Sequence, residues 1–254
     1  MARARKHTAL PPPYLKRVWI DPDAEVDRDR FPFSLPLFRD GFELRFDRAV
    51  TIIVGENGTG KSTLLEGIAS LAGFPEMGGG PGYRTDTAER ALAREGGQLL
   101  PALRGSWLPK VGRGWFFRAE SFFSVARYLD DAALDSNAAP PDYLSRSHGE
   151  GFLRFFGERC ASPGLFLFDE PESALSPTRQ FEFLKLLHRL SVERITQVVL
   201  ATHSPIIMAL PGARLLRIDR TRLEEVALEE TDHFRLLQAF TADWRGTVDA
   251  MLEG

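Results

Sequence analysis

The sequence predicts a three-layer α/β fold built on a mixed sheet. Three observations indicate it: apolar strand runs that end in polar clusters, helical patterns that follow these runs, and a separate set of short apolar runs near the start of the chain. Strands that alternate with helices are typical of a largely parallel sheet with helices packed on it. The short runs near the start predict an antiparallel β flank in addition.

The antiparallel flank is predicted from apolar runs at residues 14–20, 31–38 and 42–46. Asp, Pro and Gly residues separate these runs, and such clusters favour turns. We therefore expect the three runs to form neighbouring antiparallel strands.

The α/β core is predicted to begin at the buried run Val50–Val54, which enters a glycine-rich segment and continues as a helix. Further strands are expected at Trp115–Arg118, Leu165–Phe168 and Gln197–Ala201, followed by a hairpin-like pair near residues 214–218 and 223–228 and a helix from about Asp232. Another helix is predicted after Ser176, with Pro177 at its first position. We expect it to bury one apolar face, formed by Phe181, Leu184, Leu187 and Leu190.

We expect one domain over residues 1–254, because this length suits a single large α/β domain. The composition shifts to Gly, Pro and Arg over residues 73–114, which we interpret as an insertion without assigned secondary structure. Residues 115–160 are expected to form a reduced helical lobe.

The bulk composition favours a protein without a membrane span. No run approaches about 18 apolar residues. A single cysteine, Cys160, cannot form an internal disulfide, so we expect a cytoplasmic location. The formal charge of −3 predicts no general attraction to nucleic acid, and a protein or nucleic-acid partner stays unidentified.

The glycine-rich segment has the spacing G-x-x-x-x-G-K-S, from Gly55 to Ser62. This spacing directs backbone N–H groups at the β-phosphate of a nucleotide, brings Lys61 to the β/γ oxygens and lets the Ser62 hydroxyl ligate Mg²⁺. The sequence therefore predicts ATP or GTP binding. The expected nucleotide-binding residues are Asn57, Gly58, Thr59, Gly60, Lys61, Ser62 and Thr63.

Two later strand ends supply further chemistry. Asp169 and Glu170 follow four apolar residues, so Asp169 is expected to hold Mg²⁺ and Glu170 to orient or deprotonate the attacking water. His203 follows the next predicted strand and is expected to contact the γ-phosphate or that water. Lys61, Glu170 and His203 are thus the predicted catalytic residues.

These elements, with Ser147-His148-Gly149-Glu150, resemble those of ABC-type ATPases, in the soluble branch that includes SMC-like and overcoming-lysogenization-defect-like predicted AAA family ATPases. Ser147 lies 22 residues before Asp169, as a signature segment does in that family. The resemblance implies that Ser147 and Gly149 contact the γ-phosphate bound to a second subunit, so that ATP joins two copies in a homodimer. It also implies a D-loop at residues 173–176.

The resemblance implies a Mg²⁺-linked position at Glu120 and a preference for ATP over GTP. Adenine would stack on an aromatic residue before the loop, such as Phe31 or Phe33, although both fit core strand positions better. The chain departs from the family pattern at His148, Glu150 and Glu120, where glycine, glutamine and glutamine are usual.

The leading functional prediction is an ATP hydrolase that acts as a dimeric switch, with DNA repair or defence as its setting by analogy. The alternatives are a nucleotide-binding subunit of a membrane transporter and an ATP-sensing scaffold with little turnover. Only 27 residues separate Glu120 from Ser147, which leaves little room for a helical region that docks a membrane partner.

Overall fold

The computed structural model describes residues 10–81, 97–118 and 148–253. The strands in these ranges are β1 (Leu15–Ile20), β2 (Glu43–Arg45), β3 (Val50–Val54), β4 (Leu103–Trp107), β5 (Gly114–Arg118), β6 (Gly164–Asp169), β7 (Thr196–Ala201), β8 (Arg214–Asp219) and β9 (Arg222–Glu225). The α-helices there are α1 (Pro36–Arg39), α2 (Lys61–Ala72), α3 (His148–Arg159), α4 (Pro177–Glu193), α5 (Pro205–Met208), α6 (Asp232–Ala242) and α7 (Trp244–Glu253). Short 3₁₀ turns lie at Gly97–Leu99, Pro171–Ala174 and Leu228–Glu230.

The main sheet has six strands in the order β5-β6-β7-β3-β8-β9. Strands β5, β6, β7, β3 and β8 are parallel, and β9 pairs antiparallel with β8 as the second arm of a hairpin. Parallel strands end at the same edge of a sheet, so the segments after β3, β6 and β7 emerge side by side. The predicted mixed sheet and the hairpin near residue 220 are confirmed.

Both faces of the main sheet are buried because alternate side chains enter two separate cores. Ile53, Leu165 and Leu167 point to one face, where α2 and the small sheet cover them. Val54, Phe166 and Phe168 point to the other face, where α3 and α4 cover them. Fully covered parallel strands need continuous apolar runs, which is the pattern seen in the sequence.

The second core is rich in aromatic rings. Phe117 lies in β5 with its ring centroid 5.0 Å from that of Phe168 and 4.0 Å from that of Phe156. Phe183 of α4 packs against the same group, at 5.2 Å from Phe168. Rings in offset and edge contacts add to the free energy of burial, so this cluster fixes α3 and α4 against the strands.

A three-stranded antiparallel sheet, ordered β2-β1-β4, flanks the core. It is tied to the main sheet by Gln197 of β7, whose buried side chain accepts hydrogen bonds from the backbone N–H groups of Tyr14 and Leu15, both at 2.8 Å. Its amide nitrogen donates to the Leu15 carbonyl at 3.0 Å. The antiparallel flank is therefore confirmed, but one of its three strands differs from the prediction.

The prediction of a strand over residues 31–38 is wrong. This segment forms turns that lead into α1, and the third flank strand is β4, which lies inside the region 73–114. Pro32 and Pro36 have no N–H to donate to a sheet, and Pro36 occupies the first turn of α1, where proline is tolerated.

Helices α6 and α7 form a hairpin with no buried residue on either helix. Apolar side chains of both helices line a groove, and its exposed members include Leu236, Phe240, Val248 and Met251. Across the ranges that the structure describes, no helix combines the length and apolar character needed to cross a membrane.

Candidate functional site

The loop between β3 and α2 is shaped by glycines. Gly60 precedes α2 with φ of 100°, a left-handed conformation that favours glycine. A side chain there would also lie 3.3 Å from Leu35 and Phe38, which pack under the loop. The twelve-residue helix α2 thus begins directly at the loop, and its free N–H groups make that end attractive to an anion such as phosphate.

Lys61 is the first residue of α2, and its side chain is folded into the loop. Its ammonium nitrogen donates to the carbonyls of Gly55 at 2.7 Å and Glu56 at 3.0 Å. Burial lowers the pKa of Lys61, an effect that the nearby carboxylates of Glu170 and Asp169 oppose. A cation held by carbonyls at the start of a helix suits the binding of a polyphosphate.

Ser62 and Asp169 meet across the gap between α2 and β6. The Ser62 hydroxyl donates to Asp169 Oδ1 at 3.1 Å. Both groups offer oxygen ligands, the type that Mg²⁺ prefers, and Mg²⁺ commonly uses one or two protein oxygens together with substrate phosphates. The pair therefore fits a Mg²⁺ ion that is shared with a nucleotide.

A half-buried ion-pair group lies beside Asp169 and supports it. Arg118, the last residue of β5, lies with its Nε 3.7 Å from Asp169 Oδ2 and also pairs with Glu66 of α2. Burial raises the pKa of Glu66, while Arg118 acts in the opposite direction. Neither residue was predicted from the sequence, although a charged residue at the end of a strand next to β6 is a signal for this position.

Glu170 lies just beyond β6 in a left-handed conformation, with φ of 49°. Its carboxylate oxygen Oε1 is 3.5 Å from Nε2 of His203, which follows β7. That nitrogen is buried and forms no hydrogen bond with any residue in the described ranges. Burial lowers the pKa of His203, which favours the neutral form of the imidazole.

Two further residues hold the His203 segment. The half-buried carboxylate of Glu172 accepts hydrogen bonds from the His203 backbone N–H at 2.5 Å and from the Thr202 hydroxyl at 2.8 Å. Nδ1 of His203 lies 2.8 Å from Nε2 of His233, in the first turn of α6. Glu172 and His233 were not singled out in the sequence, because neither belongs to a recognisable spacing.

A cavity of about 530 Å³ opens beside the loop. Its walls are loop residues 54–59, the end of β8 with Arg217, the turn after β8 with Arg220, and the start of α6 with His233. Phe31 and Phe33 are not among its lining residues; Phe33 is buried in the first core and Phe31 is 39% exposed. His233 also lines the apolar groove of α6 and α7, so it lies between that groove and the cavity beside the loop.

The structure brings together most residues that the sequence analysis selected. Five of them converge at one edge of the sheet: Lys61, Ser62, Asp169, Glu170 and His203. Beside them lie the loop residues Asn57, Gly58, Thr59 and Gly60, and Thr63 lies in the first turn of α2. Gly149 lies in the first turn of α3. Ser147 and Glu120 lie outside the described residues.

Two family models match parts of the chain. A model described as "AAA domain" matches residues 34–95, which include the loop, and one described as "AAA domain, putative AbiEii toxin, Type IV TA system" matches residues 144–209, which include both carboxylates and His203.

Curated relatives match a larger part of the chain. The Molybdenum import ATP-binding protein ModC of Bordetella pertussis is 28% identical over an alignment that covers 88% of this chain and 59% of the relative. The chain thus spans about three fifths of the length of that relative. The Thiamine import ATP-binding protein ThiQ of Vibrio parahaemolyticus is 30% identical over 70% of this chain and 79% of the relative. Among solved structures, the SMC head domain from Thermotoga maritima has a TM-score of 0.45 at 16% identity, covering 84% of this chain and 99% of that one.

The ThiQ alignment combines substantial identity with coverage of most of the relative. The loop, the carboxylate pair and His203 supply the matching chemistry at one sheet edge. The chain belongs to the ABC-type ATP-binding proteins, a family of P-loop ATPases.

Proposed function

We propose that this protein hydrolyses ATP with the residues that converge at the ends of β3, β6 and β7. The observation that carries the proposal is the pair of contacts between Ser62 and Asp169, at 3.1 Å, and between Glu170 and His203, at 3.5 Å. The first pair offers oxygen ligands beside the loop, and the second offers a carboxylate and an imidazole where a terminal phosphate would be attacked.

Each residue has a distinct proposed task. Lys61 and the N–H groups of the loop bind the β- and γ-phosphates of ATP and neutralise charge that develops there. Ser62 and Asp169 hold Mg²⁺, which when bound supplies positive charge to the phosphate oxygens. Glu170 accepts a proton from the attacking water, and His203 donates a hydrogen bond to the γ-phosphate.

The Glu170→Gln variant tests this assignment. We expect ATP turnover to fall by about a hundredfold or more, because the amide cannot accept the water proton, while ATP binding is retained. Turnover would be measured by phosphate release, and binding by equilibrium titration with ATP. Glu193→Gln is the matched control, since it makes the same chemical change at an exposed position at the end of α4.

Equal turnover in Glu170→Gln and the wild-type protein would contradict the proposed role of Glu170. Binding without turnover in either protein would instead favour the alternative of an ATP-sensing scaffold.

We further propose that ATP joins two copies of the chain. The proposed contacts from the second copy are Ser147 and Gly149, which the family resemblance assigns to a signature segment at the start of α3. A helix N-terminus suits such a contact because it attracts phosphate. Residues 173–176, with the Ser173 hydroxyl bonded to the Glu170 carbonyl at 2.6 Å, would lie across the same interface.

The cellular setting that we propose is DNA repair or defence. The match of residues 144–209 to a model whose description includes the AbiEii toxin supports a defence role. The names of ModC and ThiQ support the alternative, a nucleotide-binding subunit of a transporter. Stimulation of ATP turnover by double-stranded DNA would favour repair or defence, whereas stimulation only by a purified membrane partner would favour transport.

A further inference from the structure

His233 lies next to the proposed phosphate-sensing histidine without belonging to any of the motifs that define the site. Its Nε2 is 2.8 Å from His203 Nδ1, and the two ring centroids are 4.9 Å apart. His233 belongs to the first turn of α6, whereas His203 follows β7, so the contact joins the C-terminal hairpin to the edge of the main sheet.

We infer that His233 is a positioning residue: its Nε2–H donates to Nδ1 of His203, which keeps the hydrogen of the His203 ring on Nε2. This inference rests on the proposed ATPase function. It goes beyond that function by assigning a role to the first turn of α6.

The direction of this hydrogen bond follows from the surroundings of His203. A neutral imidazole has one N–H donor and one acceptor nitrogen, so fixing one nitrogen fixes the other. The Glu170 carboxylate faces Nε2 at 3.5 Å and favours an N–H there over a lone pair. Nδ1 is then an acceptor, and His233 has to donate.

The tautomer of His203 is defined only when its ring is neutral, and the burial and charges around the ring decide how far that form is favoured. Burial is the largest cause of the lowered pKa of His203, and the positive Lys61 acts in the same direction; Glu170 and Glu56 oppose it. The surroundings therefore favour the neutral ring, for which two tautomers are possible. Only the tautomer with hydrogen on Nε2 can donate to a γ-phosphate from that atom.

His233 lies between the cavity beside the phosphate loop and the apolar groove of the C-terminal hairpin. It lines both of them. A movement of the first turn of α6 would therefore take the donor away from His203 and change one wall of the cavity beside the phosphate loop.

The tautomer can be measured directly in the 254-residue chain without nucleotide. The chain has five histidines, and ¹⁵N labelling of all of them with long-range ¹H–¹⁵N spectra distinguishes protonated from unprotonated ring nitrogens. Spectra of His203→Gln and His233→Gln assign the two signals. We expect His203 to carry its hydrogen on Nε2 in the wild-type protein and to become a mixture of tautomers in His233→Ala.

Kinetics supply the second readout. We expect His233→Ala to lower kcat for ATP about tenfold, comparable to the contribution of one hydrogen bond, with KM nearly unchanged. His233→Gln should restore most of the rate, because its amide places an N–H donor near the position of Nε2. Gln238→Ala, at an exposed position of α6, controls for a general effect on the helix and should match the wild-type protein.

Three results would overturn the inference: hydrogen on Nδ1 of His203 in the wild-type protein, an unchanged tautomer in His233→Ala, or equal loss of kcat in the Ala and Gln variants. If no protein in the series hydrolyses ATP, the proposed ATPase function fails, and the wild-type and His233→Ala spectra still decide the role of His233.

Discussion

Glu172 illustrates how a single half-buried carboxylate shapes the site. It accepts hydrogen bonds from the backbone of His203 and from Thr202, and yet burial raises its pKa above the usual value. The cost of burying the charge thus exceeds the benefit of the two hydrogen bonds. Glu172 orders the His203 segment at some expense in stability at neutral pH.

The raised pKa of Glu172 predicts a pH dependence. Above about pH 4.5 the unfolded chain releases this proton while the folded protein retains it, so the free energy of unfolding falls as pH rises through the native pKa. Glu172→Gln lacks this contribution, so its stability should improve relative to the wild-type protein as pH rises from about 4.5. Urea denaturation at several pH values checks this, and parallel curves for the two proteins would contradict it.

At the residue scale, the predictable part of the site is the part fixed by local spacing. Lys61 and Ser62 follow from the loop pattern, and Asp169 and Glu170 follow from an apolar strand that ends in two carboxylates. His233 and Arg118 could not be predicted in the same way. Each reaches the site through packing between elements distant in sequence, and such contacts leave no periodic signal.

At the element scale, the pairing of β5 with β6 depends on Gly114. A Cβ on this residue would lie 1.8 Å from the carbonyl oxygen of Leu165, which is the backbone of the neighbouring strand. We expect Gly114→Ala to lower the free energy of unfolding by about 3 kcal/mol or more, measured by chemical denaturation.

Gly157 of α3 provides the matched comparison for that substitution. Among the residues that the structure describes, none has an atom within 4 Å of a Cβ added at this position. Gly157→Ala should therefore raise the free energy of unfolding by about 0.5–1 kcal/mol, since alanine has the higher helix propensity. Similar effects of the two substitutions on the free energy of unfolding would show that the close approach of β5 and β6 is not the reason that position 114 requires glycine.

The elements also show where sequence patterns are ambiguous. The predicted buried face of α4 includes Phe181, but Phe181 is 53% exposed, and Phe183 is buried together with Leu187 and Leu190. Both spacings fit a helix, and only packing against the aromatic core selects one. Apolar content alone likewise did not distinguish the turns at residues 31–35 from β4.

At the scale of the whole molecule, the proposed shared site predicts that activity depends on association. Specific ATPase activity should rise when the protein concentration is increased over about a hundredfold range, because dilution separates the two copies. Glu170→Gln should accumulate as a dimer with ATP and Mg²⁺ in light scattering. A monomer with full activity at every concentration would contradict the shared site.

The α6–α7 hairpin has a consequence for how this molecule can change over evolutionary time. None of its residues is buried, whereas the strands that present the loop, the carboxylates and His203 are covered on both faces. Surface substitutions usually alter stability by no more than about 0.5 kcal/mol. Beyond the turn that carries His233, the hairpin can therefore vary freely and acquire new binding specificity while the catalytic framework stays the same.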